Sequence, residues 1–150
     1  MDTLSALADV LQFVTFKLAG QKYAVDILKV QEIENMREIT MIPNAPNYLE
    51  GAVNLRGKVI PVINLRKKFS FGDHEGKDRS KIVILDIGGV TMGAIVDSVS
   101  DVLRISPDVV QPPPSLSSDG SSRFITGIAN LAEGLIILLD VHKLLAEEKQ

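Results

Sequence analysis

Two stretches half a chain apart read almost alike. The first is Gly51-Ala52-Val53-Asn54-Leu55-Arg56-Gly57-Lys58-Val59-Ile60 and the second is Gly127-Ile128-Ala129-Asn130-Leu131-Ala132-Glu133-Gly134-Leu135-Ile136-Ile137. Both run Gly-x-x-Asn-Leu, then a turn with glycine, then an aliphatic strand closed by Asn64 or Asp140. The second copy reads as carrying one extra turn residue. A weaker echo pairs Tyr23-Ala24-Val25-Asp26 with Gly93-Ala94-Ile95-Val96-Asp97, and the offsets are roughly 70 to 76 residues. A repeat at half the chain length constrains the fold more than any single segment. It predicts two similar small β units. Each has about 70 residues, near the lower limit for an independent core, so the two should share an apolar interface and behave as one body.

The segments between turn signals agree with that. Phe13–Leu18 and Tyr23–Ile27 alternate around the Ala19-Gly20-Gln21-Lys22 turn and read as a hairpin. The run Asp26 to Ile33 is ambiguous: Asp26 could cap one helical turn, or the strand could continue toward Met36. A helical turn is predicted from about Pro46 to Leu49. Ala52–Leu55 and Val59–Leu65 read as a hairpin about an Arg-Gly-Lys turn, with Pro61 placing its strand at an edge or a bulge. Arg66–Phe69 reads as a short helical turn. The polar stretch 70–80 reads as a loop or boundary. Strands resume at Lys81–Ile87 and Val90–Val96 about Gly88-Gly89, and then at Val99–Ile105. Residues 106–122, with Pro107, Pro112 to Pro114 and a Ser-rich run, read as a long loop. Ile125–Leu131 and Leu135–Leu139 are the last strands, and Asp140 caps a terminal helix, Val141–Glu147. Residues 1–12 read as an arm or a short amphipathic helix through Leu4, Leu7, Ala8 and Leu11. Short strands at such intervals imply an all-β fold of barrel or sandwich type.

Composition removes most chemistry. With no cysteine there is no disulfide, thiolate metal site or cysteine nucleophile, and His74 and His142 are the only histidines of the 150 residues. His74 reads as a solvated loop residue, and His142 beside Asp140 as a surface or capping residue. Gly88-Gly89 lacks the lysine and Ser/Thr of a phosphate loop. Asp86, Asp97 and Asp101 match no metal loop. No catalytic residue, metal or cofactor is therefore expected, and an enzyme is not. A net charge of −3 and 5% aromatic residues argue against nucleic acid, leaving a small-barrel RNA-binding protein as the alternative from another class. There is no apolar run of transmembrane length and no signal peptide, so a soluble cytoplasmic protein without direct membrane insertion is expected. What remains is a protein-interaction module. Ile27, Val30, Met36 and Ile39 lie where exposure is plausible. Arg56, mounted on a tight turn, suits pairing with a carboxylate, either a partner's or an internal one such as Glu32 or Glu50.

From Glu50 to Arg66, with Asn54-Leu55-Arg56-Gly57 and the strand Val59-Ile60-Pro61-Val62, the chain strongly resembles the CheW family of bacterial chemotaxis coupling proteins. Tyr23 to Ile33, Gly93 to Leu103 and Leu131 to Leu145 extend the likeness in order from about Gln12 to Leu145. The resemblance implies a domain at 13–145 built of two SH3-like five-stranded β-barrels, 19–78 and 79–145, with strand 13–18 able to join the latter. It also implies a non-enzymatic adaptor that bridges the cytoplasmic tip of chemoreceptors to the regulatory domain of the histidine kinase CheA, in membrane-associated arrays that can include other CheW copies. Residue by residue, Ile27, Leu28 and Val30 match the family's kinase-facing surface. Glu32 and Arg56 match positions linked to coupling and receptor contact, and Val102 and Lys81 match positions bordering the receptor groove. Asn54 and Gly57 are expected to hold the Arg56 turn in shape.

Overall fold

The computed structural model describes residues 11–72, 79–113 and 124–146. Residues 1–10 of the arm expected over 1–12, most of the polar stretch 70–80 and the Ser-rich run lie outside the described residues; Leu11 and Gln12, expected in the arm, instead pair with Ile105 and Arg104 and begin the first strand. In chain order the elements are β1 (Leu11–Leu18), β2 (Gln21–Asp26), a 3-10 turn (Ile27–Lys29), β3 (Val30–Asn35), β4 (Leu49–Leu55), β5 (Lys58–Asn64) and α1 (Leu65–Lys68). They continue as β6 (Lys81–Ile87), β7 (Val90–Val96), β8 (Ser98–Ile105), a second 3-10 turn (Pro107–Val109), β9 (Val110–Gln111), β10 (Ile125–Leu131), β11 (Gly134–Leu139) and α2 (Val141–Ala146).

These strands form a six-stranded sheet, β8-β1-β2-β11-β10-β9, and a five-stranded sheet, β3-β6-β7-β5-β4. The outer strands of the first, β8 and β9, are joined only by residues 106–109, so that sheet must curl to bring its edges together. In the second, Glu32 on outer strand β3 pairs with Arg56 in the turn between β4 and β5, at the opposite edge, so it curls as well. The mainly β fold of two such sheets with a short terminal helix is the one expected. The sixth strand is β9, in a region read as loop: two residues long, it adds to β10 through Gln111↔Ile128 and Val110↔Ala129.

Register makes the repeat quantitative. Hairpin β4–β5 pairs Leu49↔Ile63 through Leu55↔Lys58, and β10–β11 pairs Ile125↔Leu139 through Leu131↔Gly134. The displacement is a constant 76 residues, including an irregularity after the first pair in each. Both turns hold two residues, so the extra turn residue expected in the second copy is not there; its glycine has moved from the turn to the first strand position. Hairpins β1–β2 and β6–β7 match at a displacement of 69, from Leu18↔Gln21 to Ile87↔Val90. Strand β3 on β6 and β8 on β1 keep the same 69, with Ile33↔Val83 answering Val102↔Val14.

The hairpins are exchanged. β1–β2 completes the sheet of β8 to β11, and β6–β7 completes the sheet of β3 to β5. The sheets therefore do not divide at 78/79 as expected for subdomains 19–78 and 79–145. One contains 11–26 with 98–139, the other 30–64 with 81–96. The reason is the choice of parallel neighbours: β11 takes β2 (Ile137↔Tyr23) and β5 takes β7 (Val62↔Gly93), each from the other half.

Other local expectations change for equally local reasons. The stretch Pro46–Leu49 is a turn closed by Leu49 N–H to the Pro46 carbonyl at 3.0 Å, not a helical turn. Strand β5 is interior, and Pro61 is accommodated because parallel pairing with β7 covers only Val62–Asn64. Asp26 does cap a helical turn, accepting from the Leu28 amide at 2.9 Å, after which the chain resumes as β3.

A large apolar cluster, with Phe16, Leu18, Val25, Ile63, Leu65, Val83, Ile87, Leu144 and Leu145, draws on both sheets. Smaller clusters fill each one, Phe13, Ile105 and Ile136 in the six-stranded sheet and Val53, Ile60 and Ile82 in the other. Where three corners meet, Arg66 forms a two-pronged pair with Asp97, Nε to Oδ1 at 2.8 Å and Nη2 to Oδ2 at 2.9 Å. Asp97 also accepts from the Ala19 amide at 2.9 Å and donates its own amide to the Lys17 carbonyl at 3.0 Å. Both partners are only 15% exposed. Breaking such a pair leaves an uncompensated charge, so Arg66→Ala should lower the unfolding free energy by about 3 kcal/mol, read from urea midpoints. A loss below about 1 kcal/mol would place the junction's stability in the apolar core instead.

Candidate functional site

The turn Arg56-Gly57 joins β4 to β5 in two residues, and tight hairpins of that length favour positive φ at both. Arg56 has φ +52° and Gly57 φ +85°. Glycine adopts that conformation freely; arginine does so against its Cβ. Asn54 steadies the turn, its Oδ1 accepting from the Gly57 amide at 3.0 Å. A Cβ at Gly57 would meet nothing within 4 Å, so the glycine answers to φ rather than to space. Asn54 and Gly57 thus both belong to the turn, one through its side chain and the other through its φ.

From this tip Arg56 Nη2 reaches Glu32 Oε2 on β3. Of the two internal partners weighed, Glu32 takes the arginine, while Glu50 receives Asn64 Nδ2 at 2.9 Å and pairs with Lys67 at 3.2 Å. The Arg56 side chain remains 69% exposed, so the pair fixes its direction without hiding it. Glu32 Oε1 is buried and has no hydrogen-bond partner among the described residues. A second arginine works beside this pair. Arg37, just past β3, donates from Nη2 to Glu34 Oε1 at 2.7 Å and from Nη1 to the Asn54 carbonyl at 3.1 Å.

The other expected residues fall into two groups. Ile27, Leu28 and Val30 lie on and just after the 3-10 turn. Leu28 is 85% exposed, whereas Ile27 and Val30 are half-buried against the large core cluster. They run directly into β3 and Glu32, so the surface expected for the kinase and the one expected for receptors abut. Lys81 starts β6 and its Nζ donates to Asn35 Oδ1 at the end of β3, the strand that carries Glu32. Val102 is exposed on β8, in the other sheet. Sequence reading missed its counterpart Ile33, 69 residues earlier and also exposed, and the matching pair Val59 and Leu135, exposed beside the two hairpin tips. Carrying the repeat through strand alternation could have found these. Nothing in the loop sequence marks Arg37.

Among the described residues, no group of three His, Cys, Asp or Glu side chains could hold a metal ion, and no helix is long and apolar enough to cross a membrane. A CheW-like domain model matches residues 12–149. The chain belongs to the CheW family. A chemotaxis protein CheW of Klebsiella aerogenes is 36% identical over 138 residues, 92% of this chain and 83% of the relative. One from Treponema pallidum is 35% identical, covering 92% of this chain and 84% of the relative. The solved structure of the scaffolding protein TtCheW from Thermoanaerobacter tengcongensis superposes with a TM-score of 0.82 at 39% identity, covering 89% of this chain and 86% of that one. Family membership makes the chain a chemotaxis scaffold protein, not an enzyme.

The geometry of the tip yields a stability prediction. Arg56→Asn relieves an unfavourable positive φ and deletes a solvent-facing ion pair, contributions of about 0.5–1 kcal/mol of opposite sign. The melting temperature should therefore be unchanged or slightly raised. A clear fall would mean that the Glu32 pair, not the turn, governs local stability.

Proposed function

We propose that this chain couples transmembrane chemoreceptors to the histidine kinase CheA, at the cytoplasmic face of membrane-bound arrays. The observation that carries the reading is the Arg56 guanidinium, held on a strained turn by Asn54, aimed by Glu32 and still open to solvent, in a member of the CheW family. Glu32, Arg56, Lys81 and Val102 would meet the receptor's cytoplasmic tip. The surface around Leu28, bordered by Ile27 and Val30, would meet the kinase's regulatory domain, and other copies of the family could share the array.

No bond need be made or broken. An adaptor changes kinase activity by contacting its active and inactive arrangements with different free energy. Array assembly adds avidity, so each interface can be weak. No observation favours the RNA-binding alternative.

Co-sedimentation of the chain with receptor-containing membranes, with and without CheA, tests the proposal. Recovery in the pellet with receptors and increased kinase recruitment are expected; recovery independent of receptors would defeat it. Arg56→Glu should abolish receptor-dependent kinase activation while circular dichroism stays native, and normal activation by a folded variant would remove Arg56 from the site. Leu28→Asp should weaken kinase binding at unchanged melting temperature, whereas Ile27→Asp or Val30→Asp should also cost stability because both pack on the core. If Leu28→Asp loses receptors and keeps the kinase, the two surfaces are assigned the wrong way round.

A further inference from the structure

We infer that Arg37 is a positioning residue for the Glu32–Arg56 site, latching the hairpin that carries Arg56 to the strand that carries Glu32. The inference rests on the coupling role proposed above for Arg56.

The latch follows from how β4 ends its sheet. Ala52 exchanges both backbone hydrogen bonds with Thr40, N–H to O at 2.9 Å each way, so its polar groups point out of the outer edge of β4. Strand alternation makes Asn54, two residues on, direct its carbonyl out of the same edge. Arg37 Nη1 takes that carbonyl at 3.1 Å while Nη2 is held by Glu34 at 2.7 Å. Asn54 is also the residue whose side chain fixes the Gly57 amide. Arg37 therefore grips the main chain at the residue that shapes the Arg56 turn, and its anchor, Glu34, lies two positions along β3 from Glu32, the carboxylate that aims Arg56.

The repeat separates this role from a role in the fold. The other half builds the same hairpin, at the same register, and no arginine latches it among the described residues. At the displacement of 69 that relates β3 to β8, Ser106 stands in place of Arg37, and its hydroxyl accepts the Asp108 amide to cap the following 3-10 turn. That tip carries Ala132 and Glu133 rather than Arg56 and Gly57. A two-point arginine latch is thus found in the half that presents the strained arginine, and its counterpart position serves another task where no arginine is presented.

The test uses the full chain and two independent readouts. In Arg37→Ala, amide hydrogen exchange at Gly57 should accelerate at least threefold, with the melting temperature unchanged, as expected for loss of surface hydrogen bonds. Co-sedimentation with receptor-containing membranes should weaken about threefold to tenfold, and Arg37→Lys, which keeps one donor, should recover part of it. In an Arg56→Ala background, Arg37→Ala should have no additional effect, because a residue acting through another loses its effect once that residue is gone. Unchanged exchange at Gly57, or the same further loss of binding without Arg56, would overturn the inference. If Arg56→Ala itself leaves binding intact, the coupling reading fails, and the exchange measurement still decides whether the latch holds the turn.

Discussion

Two short parallel pairings, β2 with β11 and β5 with β7, hold this molecule together. Each joins strands from opposite halves of the chain, and each completes a sheet that its own half leaves open. Without β6, β3 has no neighbour in its sheet, and without β1, β8 has none. The large core cluster forms only when both exchanged hairpins are seated, since Phe16 and Val25 come from one and Val83 and Ile87 from the other. The two sheets are thereby one cooperative unit, in which long-range pairing carries the entropic cost of closing large loops before the core can compensate it.

The exchange also decides which corners are fixed and which are free. At one corner Arg66, Asp97 and the Ala19 amide are locked together. By the displacements of 76 and 69, the matching corner holds His142 and Leu28 in place of Arg66 and Asp97, with Gly88 in place of Ala19. A Cβ on Gly88 would find only the His142 ring, 4.0 Å away. Two equivalent corners are thus closed by different chemistry, and the second leaves Leu28 projecting into solvent. The apolar body of the fold does not depend on residue 28, which leaves that position open to selection for contact with other molecules.

Local features were legible in the sequence and distant choices were not. The hairpins around Ala19-Gly20, Arg56-Gly57 and Gly88-Gly89 follow from glycine chemistry within four residues. The cap at Asp140 follows from a side chain that can reach the amides of the next turn, and it does; Asn64, at the equivalent place in the repeat, caps α1 in the same way. The repeat itself was visible. Its pairing was not, because equal hairpins could complete either half, and the choice lies in contacts between opposite halves of the chain, Ile137↔Tyr23 and Val62↔Gly93. The strand β9 was hidden because two residues between Pro107 and Pro112 carry no alternation. The Arg-Gly pair marked the turn that carries Arg56, and its selection of Glu32 over Glu50 needed the curl of the five-stranded sheet. Arg37 lies in a loop where sequence has no period to read.

The two hairpin tips show what Arg56 costs and why that cost is informative. Both tips connect paired strands through two residues at one register, so the backbone problem is the same. At the second tip it is solved without strain: Ala132 and Glu133 keep ordinary φ, and the left-handed conformation falls on Gly134, φ +127°. At the first it falls on Arg56 and Gly57. The chain therefore contains an unstrained solution and does not use it where the arginine is presented. Asn, Asp or Gly at position 56 would satisfy the turn better. Fold stability gives no reason to keep arginine there, because the ion pair it gains with Glu32 is solvent-exposed on the arginine side and of a size that the strain offsets. The residue is better explained by what it offers outward: a fixed, charged, multi-donor group at the end of a rigid hairpin, with a carboxylate behind it that sets its direction.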